Sequence, residues 1–355
     1  MKLEYVNIEK AKELPPPTQV TGFGQIFAPL MFVQEYHRDK GWFNAKIKPF
    51  ENISLPPSAA VFHYAQEIFE GTKAYRREDG GINLFRPQEN MRRFNRSALR
   101  LAMPPVPEMD HLQAIKELIL LQSDWVPFQK GASLYIRPTM IATNPMLGVV
   151  ASPSYMHFVI VGPVAAYFKE GFNPVSVEIC DKYRRAVRGG VGAAKTGGNY
   201  AASLLVSEEA KKKGYSQVLW LDAIEGRYIE EVGAMNIFFV YDNHTLVTPP
   251  LSDSILPGVT RDSVLRIAPY LGFEVREQAI TVDEMLADLR SGKITEVFGS
   301  GTAAVIAPVG RLGFRDEEYL VRDKQAGPVA QKLFQELTDI QYGKSADKFE
   351  WTMQI

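Results

Sequence analysis

The run Arg185-Ala-Val-Arg-Gly-Gly-Val-Gly-Ala-Ala-Lys195-Thr-Gly-Gly-Asn-Tyr200 sets one lysine in a glycine-rich stretch. Three chemistries compete for it. A nucleotide phosphate loop of the GxxxxGK[ST] type would use Lys195 and Thr196, but it needs glycine directly before the lysine, where Ala194 stands. A glycine-rich surface turn with a solvated lysine is the second reading. The third is a lysine reserved for covalent bonding to the aldehyde of a cofactor. An ordinary lysine, with a pKa of about 10.4, is protonated and a poor nucleophile at neutral pH, so this use needs a built environment. Glycines favour it, because backbone without side chains can crowd a flat ring.

Pyridoxal phosphate, as such a cofactor, would need counter-charges for its phosphate and an acid beside its ring nitrogen. Candidates for each occur elsewhere in the chain. Glu231, in Glu230-Glu231-Val-Gly-Ala-Met-Asn236, sits at a strand entry, where a buried carboxylate can hold a protonated ring nitrogen. Leu256-Pro-Gly258-Val259-Thr260 immediately precedes a helix, and the free amides of a helix N-terminus suit a phosphate. Gly299-Ser-Gly301-Thr302 offers further amides and a hydroxyl, and Arg93 and Arg185 offer guanidinium groups suited to oxyanions. Taken singly, each also reads as ordinary structure: a turn acid, a helix cap, surface ion pairs.

These residues need elements to position them. Residues 27–36 read as a strand, and Asp79-Gly80-Gly81 predicts a hairpin joining Thr72–Tyr75 to Ile82–Phe85. Pro87 opens a helix to about Leu101, at a position where the missing amide costs nothing. A second helix is expected from Asp110 to about Trp125, with Leu112, Ile115, Leu118 and Ile119 on one stripe. Leu134–Ile136 and His157–Val161 read as strands, as do Val175–Ile179, Val218–Leu221, Asn236–Tyr241 and Glu274–Ile280. Helices are expected over Tyr200–Lys213, Thr260–Leu271, Thr281–Leu289 and from Pro328 to about Tyr342, the third opening with a Thr281/Glu284 capping box. Strands and helices do not alternate strictly, which predicts an α+β fold rather than a doubly wound sheet. The length of 355 residues implies about two domains, expected at 1–164 and 175–355 with 165–174 as the connection.

Composition narrows the function classes. The chain is 46% hydrophobic and 23% charged with a formal net charge of −1, so it carries no electrostatic footprint for nucleic acid or anionic membrane. Cys180 is the single cysteine and the five histidines are scattered, so neither a disulfide nor a metal site is expected. No leader-like apolar segment and no stretch of about 20 apolar residues appears, which makes the cytoplasm the expected compartment.

In order and spacing, the segments His63-Tyr64-Ala-Gln-Glu-Ile-Phe69-Glu-Gly71, Leu84-Phe-Arg-Pro87-Gln-Glu-Asn-Met-Arg-Arg93, Tyr135-Ile-Arg137-Pro138, the Lys195 run, Glu231-Val-Gly-Ala-Met-Asn236, Leu256-Pro-Gly-Val-Thr260 and Phe298-Gly-Ser-Gly-Thr302-Ala303 resemble the branched-chain aminotransferases among the fold-type IV pyridoxal-phosphate enzymes. The resemblance runs from about Gly22 to Val309. It implies a smaller N-terminal α/β domain, a larger C-terminal pseudo-barrel domain, a homodimer, and transfer of the amino group between leucine, isoleucine or valine and 2-oxoglutarate to give glutamate. By position, it implies that Lys195 carries the cofactor and shuttles the proton, Tyr200 meets the phenolic oxygen and Glu231 the ring nitrogen. Arg93, Val259, Thr260 and Thr302 would hold the phosphate with Arg185 nearby. Tyr64, Phe69 and Tyr167 would line the substrate pocket, Tyr135 and Arg137 would meet polar groups, and the Thr302-Ala303 backbone the α-carboxylate. Two departures stand out: Ala304 and Ala307 replace a Cys-x-x-Cys pair found in some members, which excludes a thiol switch there, and Ala234 replaces a frequent threonine.

Overall fold

A computed structural model of the chain describes residues 1–165 and 172–355. These form two compact units. The first comprises the described residues up to 165 with Ala194–Gly197 and Asp339–Ile355, and the second comprises 172–193 with Gly198–Thr338. The division expected from sequence therefore changes at two places, and the first unit is no smaller than the second. The physical reason is pairing over long separations: Thr352–Gln354 adds antiparallel to the strand Ile82–Phe85, and residues 195–197 bond to the strand at Glu67.

The first unit is built on one sheet. Its strands are β1 (Glu4–Tyr5), β2 (Leu30–His37), β3 (Gly41–Pro49), β4 (Glu67–Phe69), β5 (Thr72–Arg76), β6 (Ile82–Phe85), β7 (Ser133–Ala142) and β8 (Ser154–Val164). The order is β1-β3-β2-β8-β7-β5-β6, then the C-terminal strand Thr352–Gln354, and β4 also pairs with β7. The expected hairpin is β5–β6, with Ala74 opposite Leu84. Strands β7 and β8 extend well beyond the short apolar runs that announce them. β7 alternates over most of its length, with Leu134, Ile136 and Met140 buried and Tyr135, Arg137 and Thr139 half-buried. β8 instead is apolar on both faces, with Val159 and Val161 buried and Met156, Phe158 and Ile160 half-buried.

Two helices, Pro87–Arg100 and Glu108–Leu120, supply Met91, Ile115, Leu118 and Ile119 to a core shared with Leu30, Phe32, Ile47, Leu84, Leu134 and Val159. The second helix ends at Leu120, short of its expected length, and Ser123–Trp125 is a separate 3₁₀ turn. There the Gln122 amide turns inward, accepting from Leu30 N at 3.1 Å and donating to Leu30 O at 3.4 Å.

Nine further strands form the second unit: β9 (Val175–Ile179), β10 (Gln217–Leu221), β11 (Ile229–Val232), β12 (Met235–Tyr241), β13 (Thr245–Thr248), β14 (Glu274–Glu277), β15 (Ile294–Gly301), β16 (Val305–Phe314) and β17 (Glu317–Leu320). The order β11-β10-β9-β16-β15-β12 closes on itself because β11 also pairs with β12, which makes a six-stranded barrel. Closure removes the two exposed edges that an open sheet of these strands would present. Val177, Leu219, Val232, Ile237, Phe239, Val297, Val309 and Leu312 belong to one buried cluster, joined by Val282, Met285 and Leu286 of the helix Val282–Arg290. That helix has the expected capping box: Glu284 N donates to Thr281 Oγ1 at 3.2 Å and Thr281 N to Glu284 Oε2 at 2.9 Å. The helix expected over residues 200–213 is two pieces, Gly197–Ala201 and Leu204–Lys212, with the Ser203 hydroxyl bonded back to Tyr200 O at 2.7 Å. At Pro328–Gln341 the buried Glu296 carboxylate accepts from Val329 N at 3.0 Å and Ala330 N at 2.9 Å, satisfying amides that a helix start leaves open.

A pair of histidines lies in the core of the first unit. His111 and His157 are fully buried with ring centroids 4.5 Å apart, and His157 Nδ1 is 3.0 Å from Gln34 Nε2. Burial pushes His111 down to about 3, and burial with the neighbouring ring pushes His157 well below the ordinary value. Both rings are therefore neutral in the fold, whereas the unfolded chain protonates them below about pH 6.5. Their contribution is fully present above that pH and is lost as pH falls toward 3. Each histidine contributes a slope of at most about 1.4 kcal/mol per pH unit. Urea unfolding between pH 7 and 4.5 is expected to show stability falling with pH, and His111→Leu to reduce that slope.

Candidate active site

The lysine of the glycine-rich run belongs to the first unit and is anchored there by its backbone. Phe69 N donates to Lys195 O at 3.0 Å, and Lys195 N donates to the Ser97 hydroxyl at 2.9 Å. Ser97 in turn donates to Arg93 O at 3.0 Å, one helical turn earlier. The Thr196 hydroxyl donates to Glu67 O at 2.8 Å, and Gly197 N donates to the Glu67 carboxylate. A Cβ at 197 would press on Glu67 Oε1, so a larger residue there would displace the carboxylate from this bond. The Lys195 amine stands 5.1 Å from the centre of the Phe69 ring.

Arg93 projects from the Pro87–Arg100 helix into the same region. It forks onto Glu70, Nε to Oε1 at 2.6 Å and Nη2 to Oε2 at 2.9 Å, with side chains 4% and 0% exposed. Gly71 N and Asn90 Nδ2 complete the carboxylate's bonds at 2.9 and 3.1 Å. Burial pushes the Glu70 carboxyl up, but the charges of Arg93 and Lys195 and the hydrogen bonds outweigh it, and the net shift is downward. Glu70 is thus an anion that holds the guanidinium plane of Arg93 in one orientation.

Strands β4 and β7 carry three of the remaining candidates on one face. Phe69 pairs with Thr139, and alternation along β7 puts Tyr135 and Arg137 on the same side. Arg137 lies over the Phe69 ring at 4.8 Å and the Tyr135 ring at 5.2 Å. Its Nη2 donates to the Tyr135 hydroxyl at 3.0 Å, while its buried Nε has no acceptor among the described residues. Glu67 shares this face. Burial pushes its carboxyl up by more than the Gly197 and Thr196 hydrogen bonds and the Arg137 charge pull it down, so the net shift is upward. Tyr64 ends the helix Ala60–Tyr64, 40% exposed, with its ring against His63. Tyr167 lies outside the described residues.

The other candidates belong to the second unit. Glu231 on β11 faces Asn236 on β12, which faces Ser300 on β15, so three polar side chains stand in a row across the barrel strands. Arg185 forms an ion pair with Glu231, their side chains 7% and 3% exposed. Arg185 was expected beside a phosphate, but its described partner is this carboxylate. Its Nη1 and the Ser300 hydroxyl are buried with no protein partner among the described residues. Asn236 Nδ2 donates to Glu231 Oε1 at 3.4 Å and to Leu256 O at 3.0 Å, tying the carboxylate to the segment before the helix Val259–Ile267. Val259 and Thr260 are the first two residues of that helix and are buried. The glycine run is fastened to the same segment: Ala193 N donates to Asp253 O at 2.8 Å. Thr302 and Ala303 lie in the turn between β15 and β16, and Tyr200 lies in the helix Gly197–Ala201.

Sequence reasoning assigned no role to Glu70, Asn236 or Glu67, although each lies inside a motif it singled out. A buried acid beside glycine in Phe69-Glu70-Gly71 was the available signal. Its partner, 23 residues away on a helix, was not visible.

The sequence pattern of the family described as Amino-transferase class IV matches residues 67–312. The chain is 50% identical to branched-chain-amino-acid transaminase 1 of Bacillus subtilis (strain 168) over 345 residues, 97% of this chain and 96% of that protein. Among solved structures it is similar to the branched-chain amino acid aminotransferase of Escherichia coli, with a TM-score of 0.75 at 30% identity, covering 90% of this chain and 98% of the other. It is also similar to a T.th. branched-chain amino acid aminotransferase complexed with N-(5'-phosphopyridoxyl)-L-glutamate, with a TM-score of 0.76 at 29% identity, covering 93% and 99%.

Removing one member of a buried ion pair leaves the other as an uncompensated charge. Glu70→Ala is expected to lower unfolding free energy by about 3–5 kcal/mol, measured by urea titration.

Proposed function

The chain belongs to the class IV aminotransferases, and on that premise we propose that it transfers the amino group between L-leucine, L-isoleucine or L-valine and 2-oxoglutarate with pyridoxal 5'-phosphate as cofactor. The observation that carries this reading is Arg137, a guanidinium with a buried nitrogen lacking an acceptor among the described residues, set against the aromatic rings of Phe69 and Tyr135. Such a place suits an apolar branched chain on one turnover and the distal carboxylate of 2-oxoglutarate on the next.

The residues present fit the cofactor. The orphan donors Arg185 Nη1 and Ser300 Oγ, a carboxylate held by two partners, and a helix start with buried residues are a donor set suited to a phosphorylated, nitrogen-bearing ring. Lys195 would hold the cofactor, and Tyr200 would meet its phenolic oxygen. Glu231 would keep a proton at the ring nitrogen, and Arg93, Arg185, Val259, Thr260 and Thr302 would neutralise or cradle the phosphate. When bound, the cofactor supplies an electron sink for the charge left when the α-proton departs.

The work of the chain's own residues follows from their chemistry. The Lys195 amine would take the α-proton as general base and, as its conjugate acid, deliver it to C4′ of the bound cofactor. Its backbone bonds to Phe69 and Ser97 restrict where that amine can reach. The Thr302-Ala303 backbone binds the α-carboxylate and so orients the α-carbon. Tyr64, Phe69 and Tyr167 supply apolar wall, while Tyr135 and Arg137 receive polar groups of the substrate. Among the described residues no helix is long and apolar enough to cross a membrane. The proposed setting is a cytoplasmic homodimer acting on small molecules, without nucleic acid or membrane.

Lys195→Ala is expected to abolish turnover and the yellow colour that borohydride bleaches in the wild type. Full activity in the variant would overturn the assignment. A panel of leucine, isoleucine, valine, aromatic and D-amino acids with 2-oxoglutarate tests the substrate class, and turnover confined to D-amino acids would refute it.

A further inference from the structure

A site that takes an apolar chain and a carboxylate in alternation has an electrostatic problem. Arg137 suits the carboxylate, but against leucine it would face hydrocarbon with its charge unanswered. The same face holds a second cation: Lys73 pairs with Tyr135 across β5 and β7, and burial pushes its amine down to about 8. Glu67 is the acid on this face. It and Phe69 are alternate residues of β4, and Arg137 acts on its carboxylate through charge without an ion pair between them among the described residues. Its carboxylate accepts the Gly197 N–H and its backbone carbonyl accepts the Thr196 hydroxyl, which ties Glu67 to the segment that carries Lys195.

We propose that Glu67 is a specificity-determining residue: its carboxylate is the resident counter-charge of Arg137, offsetting that charge when an apolar side chain is bound and opposing the distal carboxylate of a dicarboxylate substrate. The inference rests on the proposed exchange of branched-chain and dicarboxylate substrates at Arg137. Glu67 weakens the hold on 2-oxoglutarate and makes the pocket tolerable to leucine, so the two substrates are brought closer in efficiency than Arg137 alone would allow. The residue does not touch the reacting atoms. It acts through the field at Arg137.

The test is steady-state kinetics of the holoenzyme with 2-oxoglutarate and with a branched-chain 2-oxo acid as alternative amino acceptors. Glu67→Gln keeps an oxygen to accept the Gly197 N–H and removes the charge. It is expected to lower KM for 2-oxoglutarate and to raise the ratio of kcat/KM for 2-oxoglutarate over that for the branched-chain acid by about five- to tenfold, a change of the order a single charge makes in a partly buried site. Glu67→Asp keeps the charge and is expected to leave that ratio near wild type. An unchanged or falling ratio in Glu67→Gln, or an equal shift in Glu67→Asp, overturns the proposal. If Glu67→Gln does not fold, Glu67→Ser must raise the ratio in the same sense, and failure to do so overturns it equally. Arg137→Leu separates the two levels. If it does not selectively lose 2-oxoglutarate, the reading of Arg137 fails, whereas a selective loss with an unmoved ratio in Glu67→Gln refutes the role of Glu67 alone.

Discussion

The backbone bond from Phe69 N to Lys195 O is the constraint from which the arrangement of the first unit follows. A lysine side chain carries about 2 kcal/mol of rotamer entropy, and positioning its amine means first removing the freedom of the backbone beneath it. Three consecutive residues, 195–197, are tied to β4, and Lys195 is tied also to the Pro87–Arg100 helix through Ser97. The same helix presents Arg93, and the short link between β4 and β5 presents Glu70. One short strand thereby sets the lysine, the aromatic ring beside it, and the buried ion pair.

The described arginines at the candidate site fall into two kinds. Arg93 and Arg185 each meet a buried carboxylate, Glu70 and Glu231, in geometry where the loss of one partner would strand the other. Arg137 has aromatic faces and a tyrosine hydroxyl instead. Paired arginines are rigid structural charges that orient and neutralise. An arginine stacked on rings with a buried donor to spare can take up an anion that comes and goes.

Much of the local structure was legible because local rules govern it. Asp79-Gly80-Gly81 made the β5–β6 hairpin, Pro87 began its helix, and Thr281 with Glu284 formed the capping box. The α+β class follows from the same signals. Elements whose patterns are set by distant partners were missed or shortened. Strands β3, β15 and β16 had not been anticipated, β7 and β8 run beyond their apolar centres, and the expected strand over 274–280 stops at Glu277. The C-terminal Thr352–Gln354 joins the first sheet only through its register with β6. Nor does any local period announce that β11 will pair with both β10 and β12 and so close the barrel.

By itself the sequence determined which chemical groups were available: a lysine among glycines, an ordered set of arginines, acids and helix starts, and a single cysteine, too few for a disulfide within the chain. Those follow from residue identity and near-neighbour spacing, which a linear reading captures. Only the tertiary structure decided the partnerships: Arg93 with Glu70, Arg185 with Glu231, Asn236 with both Glu231 and Leu256, and Glu67 on the face that carries Arg137. The physical reason is that a charge acquires its role from what surrounds it once water is excluded. The surroundings are residues brought together from distant parts of the chain by sheet register and helix packing.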